Sequence, residues 1–171
     1  MKDRNIVLIG FMGSGKSSVS RQLGKLLKRE VFSTDKIIED REKRPISDIF
    51  THSGEEYFRK CEHNVVKELA TKSGVIIDCG GGIILDETNV QELKKNGVFF
   101  YLKATPEFLF EKVKNQKHRP LLQVEKPLEK IKQMLNDRSP LYEKAADYTI
   151  ISTDRTIDKM AKEVMTIYER T

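Results

Sequence analysis

The run Gly10-Phe11-Met12-Gly13-Ser14-Gly15-Lys16-Ser17 carries the densest chemistry in the chain. It fits G-x-x-x-x-G-K-S/T. Glycines at that spacing accept backbone angles that a Cβ forbids, so successive N–H groups can turn toward phosphate oxygens. Lys16 can then reach β- and γ-phosphates, and the Ser17 hydroxyl is a Mg²⁺ ligand. Gly13, Ser14, Gly15 and Ser18 complete the cradle. The apolar run Ile6-Val7-Leu8-Ile9 precedes it, and Val19, Leu23, Leu26 and Leu27 follow at helical spacing. Strand, loop and helix in that order predict a site for a nucleoside triphosphate with Mg²⁺. No N-K-x-D is present to read guanine. A short chain with the loop at its N-terminus points to phosphoryl transfer onto a small acceptor, under a lid that excludes water.

The elements that would position this loop alternate along the chain. Short strands are expected at Ile6–Ile9, Val31-Phe32, Val75-Ile76-Ile77, Val98–Leu102 and Tyr148–Ile151. Between them lie helix signals. Ser53-Gly54-Glu55-Glu56 reads as a capping box, with Phe58, Cys61, Val65 and Leu69 on one face. Thr105-Pro106-Glu107 opens a helix with a cap, an early proline and an acid near the dipole. Ile157, Met160, Ala161, Val164, Met165 and Tyr168 stripe the last helix. This is an α/β pattern: a five-stranded parallel sheet between two layers of helices, in a single domain over residues 1–171. The polar, basic stretch Asn115–Pro127, bracketed by Pro120 and Pro127, has little apolar content to hold it down and is expected to be a lid, spanning about 112–126.

Composition excludes several classes. No apolar stretch nears the ~18–20 residues of a membrane span, and the N-terminus lacks a signal-peptide core. Two cysteines without CxxC spacing give neither a disulfide framework nor a metal knuckle. His52, His63 and His118 have no metal spacing. The expectation is a cytoplasmic monomer. A net charge of +5, from 31 basic and 26 acidic residues, is modest. The basic cluster Lys112, Lys114, Lys117, His118 and Arg119 lacks interleaved aromatics, so a nucleotide fits it better than a nucleic acid.

Further motifs follow the loop in order: Ser33-Thr34-Asp35, Phe58-Arg59 within Glu55–Glu62, Gly80-Gly81-Gly82, Arg119-Pro120-Leu121-Leu122, and Arg138-Ser139-Pro140-Leu141-Tyr142. In this order, over essentially the whole chain, they resemble the shikimate kinases, relatives of the nucleoside monophosphate kinases. The resemblance implies a P-loop kinase fold with a mobile lid and an acceptor-binding segment over about 33–62. It implies transfer from MgATP to the 3-hydroxyl of shikimate, giving ADP and shikimate 3-phosphate, a step toward chorismate and the aromatic amino acids. ATP/ADP and shikimate would be the only partners, with no nucleic acid or membrane. Arg59 and Arg138 would clamp the acceptor carboxylate, since a guanidinium fork matches a carboxylate with two parallel hydrogen bonds. Asp35 would hold the hydroxyls and serve catalysis with Lys16 and Arg119. Gly80, Gly81 and Gly82 would bring backbone close to the ring. Lys112 and Arg155 would flank the adenine, and Glu62 could orient Arg59.

The chain departs from the pattern at two places. Relatives usually read D-x-D where Ser33-Thr34-Asp35 stands, so one metal-supporting carboxylate is missing. Asp78 ends an apolar strand where relatives usually have a small neutral residue. An apolar strand ending in Asp is the arrangement that supports a Mg²⁺ shell, so Ser17 and Asp78 are the expected metal residues. Plainer readings remain for each residue. Asp78 could cap the glycine turn, Asp35 could be a helix N-cap, Arg59 could be an ordinary solvated helix residue, Arg138 could tie down a turn, and the glycines could be a flexible turn. Two rival functions also stand: another small-molecule kinase such as a gluconate-type enzyme, and a degenerate binding protein without turnover.

Overall fold

The computed structural model describes residues 3–116 and 124–171. Five parallel strands form one sheet: β1 Asn5–Ile9, β2 Val31–Ser33, β3 Ile76–Asp78, β4 Gly97–Lys103 and β5 Tyr148–Ile151, in the order β2-β3-β1-β4-β5. The central strands are apolar on both faces because both faces are covered. Along β1, Val7 and Ile9 face one core, which also holds Ile77, Phe99 and Tyr101. Ile6 and Leu8 face the other, with Ile76, Val98, Phe100 and Leu102. The period of two in side-chain direction thus yields three layers.

Among the described residues, helices α1 Lys16–Leu27 and α7 Ile157–Tyr168 cover the second face with Val19, Leu23, Met160 and Val164. The first face is covered mainly by α3 Ile46–Ala70, α5 Pro106–Val113 and α6 Pro127–Ala145, while α2 Thr34–Glu42 and α4 Glu87–Lys94 pack at its margin. Asn5 is buried at the start of β1 yet satisfied: its side chain donates to the Lys72 carbonyl at 2.8 Å and accepts from the Val75 N–H at 3.1 Å. The chain passes from β1 to β2 at the far side of β3, then back, so the carboxyl ends of β1, β2 and β3 open onto a shared crevice. Ligands of open α/β sheets bind at such a reversal.

The capping box does not form as expected. Helical structure begins earlier, at Ile46, and Gly54 interrupts it with φ 81° and ψ 168°. Ser53 Oγ accepts from Arg44 at 2.7 Å, and the exposed Glu56 pairs with Lys60 at 2.9 Å. Capping at Thr105 is as read, its hydroxyl accepting from the Phe108 N–H at 3.3 Å. In α2 the N-cap is Ser33, accepting from the Lys36 N–H at 3.4 Å, so Asp35 is released from that role.

Candidate active site

The phosphate loop joins the carboxyl end of β1 to α1, whose first residue is Lys16. With no acid in the first turn, the free N–H groups and positive dipole end of α1 face the loop, a ready anion site. Gly13, at φ 81°, also permits a close approach, because a Cβ there would stand 2.8 Å from Val113 Cγ1. That contact seats α5 against the loop and brings Lys112 to its rim. Lys16 is largely buried; its ammonium donates to the carbonyls of Gly10 at 2.8 Å and Phe11 at 3.1 Å. A cavity of about 380 Å³ opens here, lined by Gly13, Gly15, Lys16, Ser17, Ser18, Asp35, Asp78, Gly80, Gly81 and Lys112 among others. Its size suits a small-molecule site.

At the floor, Ser17 Oγ donates to Asp78 Oδ2 at 2.6 Å, and Asp78 is 5% exposed. This bond crosses from the phosphate loop to β3. Ser33 is the register partner of Asp78 across the β2–β3 ladder. Ser33, where the resemblance leads one to expect a carboxylate, and Asp78 are therefore neighbours in one sheet.

Triple glycine follows Asp78, and the acceptor-side residues gather on it. A Cβ on Gly80 would overlap Asp35 Oδ1, and one on Gly82 would stand 2.6 Å from Arg59 Nη2. Close approach, rather than flexibility, is what these glycines provide. Thr34 fixes the turn from the α2 side, its buried hydroxyl accepting from the Gly80 N–H at 2.8 Å. From the α6 side, Tyr142 donates to the Gly81 carbonyl at 2.5 Å.

Arg59 sits on α3 between two acids. Its Nη1 pairs with Glu62 at 2.8 Å and its Nη2 with Glu55 at 3.2 Å. Burial lowers the Arg59 pKa, but Glu62 and Glu55 outweigh it and the net shift is upward. Glu62 is 1% exposed, and burial raises its pKa against the pull of Arg59. So Glu62 does orient Arg59. Glu55 is mostly exposed, and such an outer pair is weak enough for an incoming carboxylate to displace. Arg138 on α6 lies over the Phe11 ring at 5.9 Å; Arg59 lies over the Phe58 ring at 5.2 Å, and that ring meets Phe50 tilted at 37° with centroids 4.8 Å apart.

Some expected residues lie apart. Arg155 pairs with Glu163 on α7 and donates to the Ile151 carbonyl at 3.4 Å, away from the cavity lining. Cys79, beside the glycines, is 1% exposed, with burial holding its thiol well above the usual range. Arg119 and most of the basic cluster's end lie outside the described residues, as does the middle of the lid. Thr34 and Tyr142 were missed as site residues. Thr34 gives no signal in sequence beyond its place beside Asp35, and Tyr142 none beyond its place in the run Arg138–Tyr142.

A family model described as shikimate kinase matches residues 12–169. A shikimate kinase from Thermodesulfovibrio yellowstonii is 43% identical over 167 residues, covering 98% of this chain and 96% of that protein. The solved shikimate kinase of Acinetobacter baumannii in complex with shikimate aligns at TM-score 0.94 and 36% identity, covering 98% of this chain and 93% of that one. A gluconokinase from Sinorhizobium meliloti aligns at TM-score 0.60 with 14% identity, a likeness of fold alone.

Proposed function

The chain belongs to the shikimate kinase family, and we propose from that premise that it transfers the γ-phosphoryl group of ATP to the 3-hydroxyl of shikimate, releasing ADP. The observation that carries this reading is the convergence of Asp35, Arg59 and Tyr142 on Gly80–Gly82, with Arg138 over Phe11 nearby, in the crevice that also holds the phosphate loop. Donor and acceptor sites share one wall.

In the reaction, Arg59 and Arg138 fix the acceptor carboxylate at the far end of the ring. That leaves the hydroxyl edge toward Asp35, which orients the attacking oxygen and takes its proton. Lys16 exchanges its carbonyl partners for phosphate oxygens and neutralises charge as the bond to ADP breaks. Positioning and charge supply most of the acceleration in such transfers. The oxygen donors at Ser17 and Asp78 suit Mg²⁺, and no cluster of three or more metal-ligating side chains exists among the described residues. Mg²⁺ usually takes one or two protein oxygens and shares the rest of its shell with phosphates and water. When bound, the ion screens phosphate charge and helps hold the β- and γ-phosphates. A monomer suffices because one chain supplies both halves of the crevice. The cytoplasm, where ATP is abundant, is its expected compartment; among the described residues no helix is long and apolar enough to cross a membrane.

ADP release from MgATP, measured with shikimate, with gluconate and with neither, tests the assignment. A large rate with shikimate alone is expected. Nucleotide binding without any shikimate-dependent rate would instead support the degenerate binder, and a rate with gluconate the other kinase.

Arg59→Ala and Arg138→Ala should each raise the KM for shikimate by about 10²-fold, as expected for losing a charge-assisted fork, with the KM for ATP within about twofold of the parent. Selective loss of ATP affinity would argue against the clamp. Gly82→Ala should raise the same KM by about tenfold, since Arg59 must move by something near an ångström to clear the new methyl. Its backbone, at φ −97°, accepts alanine, so melting should be little changed.

A further inference from the structure

Tyr142 is a bulky, fully buried polar side chain beside the glycine turn. Its ring stacks on Tyr101 of β4 with centroids 4.9 Å apart and planes at 18°, so the hydroxyl has little freedom of aim. That hydroxyl donates its one proton to the Gly81 carbonyl at 2.5 Å. A phenol oxygen that has donated still carries lone pairs and can accept. Arg138 lies one turn earlier on the same face of α6, and its guanidinium offsets part of the rise that burial imposes on the Tyr142 pKa. Arg138 is also held over Phe11 in the phosphate loop.

We propose that Tyr142 is a positioning residue for the acceptor site, its hydroxyl locking the Gly81 carbonyl and the Arg138 guanidinium into one arrangement. It touches neither reactant. Residues at i and i+4 share a helix face, so the lock needs no movement of α6. Its effect on the acceptor works through Arg138, and it therefore rests on the reading of Arg138 as a carboxylate clamp. The Phe11 contact ties the same arginine to the nucleotide loop, so the lock also sets how far the clamp sits from the transferred phosphate.

Tyr142→Phe keeps the ring, its stack and its burial while deleting the hydroxyl. The expected result is a rise of about tenfold in the KM for shikimate, a KM for ATP within about twofold of the parent and kcat within about threefold. Tyr101→Phe, a deletion in the same stack on the other ring, should leave all three unchanged. In a double-mutant cycle, Tyr142→Phe should add less than about twofold to the KM of Arg138→Ala, because its target is already gone. The shikimate-induced rise in Tm should shrink in parallel, and it can be read even in a less stable protein. A lower Tm with an unchanged KM for shikimate, or effects that multiply in the cycle, would overturn the proposal. If Arg138→Ala itself leaves the KM for shikimate unchanged, the clamp reading has failed rather than the lock alone.

Discussion

Lys16→Met lowers turnover by about three orders of magnitude or more, while the protein keeps its fold. The magnitude follows from what the ammonium does: it is a fixed charge aimed at the β- and γ-phosphates, and losing one such preorganised group costs about 10²–10³-fold or more. Methionine matches the length and apolar stem of lysine. Lys16 is only 9% exposed, so the stem's packing is worth keeping. Two carbonyls, Gly10 and Phe11, lose a donor in the free enzyme. The Phe11 carbonyl still accepts from the Ser14 N–H at 3.2 Å, so the loss falls mainly on Gly10 and is of the order of 1–3 kcal/mol, less where water reaches it through the open cavity. Circular dichroism should show the parent spectrum with a Tm lowered by only a few degrees. A coupled ADP assay reads the rate. Turnover near the parent level would remove the phosphate loop from the mechanism and the function with it.

Most of the sheet was legible in sequence because its central strands are buried on both faces and so read as short, continuous apolar runs. Each of the five expected strands forms, within about a residue of its expected ends. The helices were harder. α4 is only eight residues long, and α6 carries Pro140 inside it, a residue that sequence reasoning treats as a stop. Ser53 and Glu56 have the spacing of a capping box, but an upstream arginine and a downstream lysine take their side chains instead. Propensity at that spot is overruled by charge pairing around the Gly54 break.

The site shows the same division. The phosphate loop is contiguous, so its spacing alone reveals it. The acceptor side is assembled from α2, α3, α6 and the glycine turn, and no local pattern says that these meet. Motif order suggested it; the reason became physical only when the glycines proved to be clearances for Asp35 and Arg59. Tyr142 and Thr34 were illegible for another cause: each acts on a backbone group of the turn, and backbone groups leave no trace in residue types.

Asp78→Asn should raise the Mg²⁺ concentration needed for half-maximal turnover by about 10–100-fold, the usual cost of removing an outer carboxylate that supports a metal. Asparagine is nearly isosteric, and its Oδ1 can still accept from the Ser17 hydroxyl that now bonds Asp78 Oδ2 at 2.6 Å. The substitution therefore removes charge and keeps geometry. Calorimetry separates this from a general loss of function by the sign of its effects. Without Mg²⁺, a buried carboxylate beside the loop repels the phosphates, so ATP should bind Asp78→Asn at least as tightly as the parent. With Mg²⁺, the parent gains affinity and the variant gains much less. Ser33→Asp in the Asp78→Asn background should recover part of that gain, because position 33 lies directly across the β2–β3 ladder from position 78. The swap also preserves α2, where Ser33 is the N-cap and aspartate caps as well as serine. An unchanged Mg²⁺ dependence in Asp78→Asn would leave Asp78 as no more than a hydrogen-bond partner of Ser17. Full loss of ATP binding with and without the ion would show instead that the loop had collapsed. Only the combination of weakened metal dependence, retained metal-free binding and partial recovery through Ser33→Asp identifies a carboxylate that has moved from one strand to its neighbour.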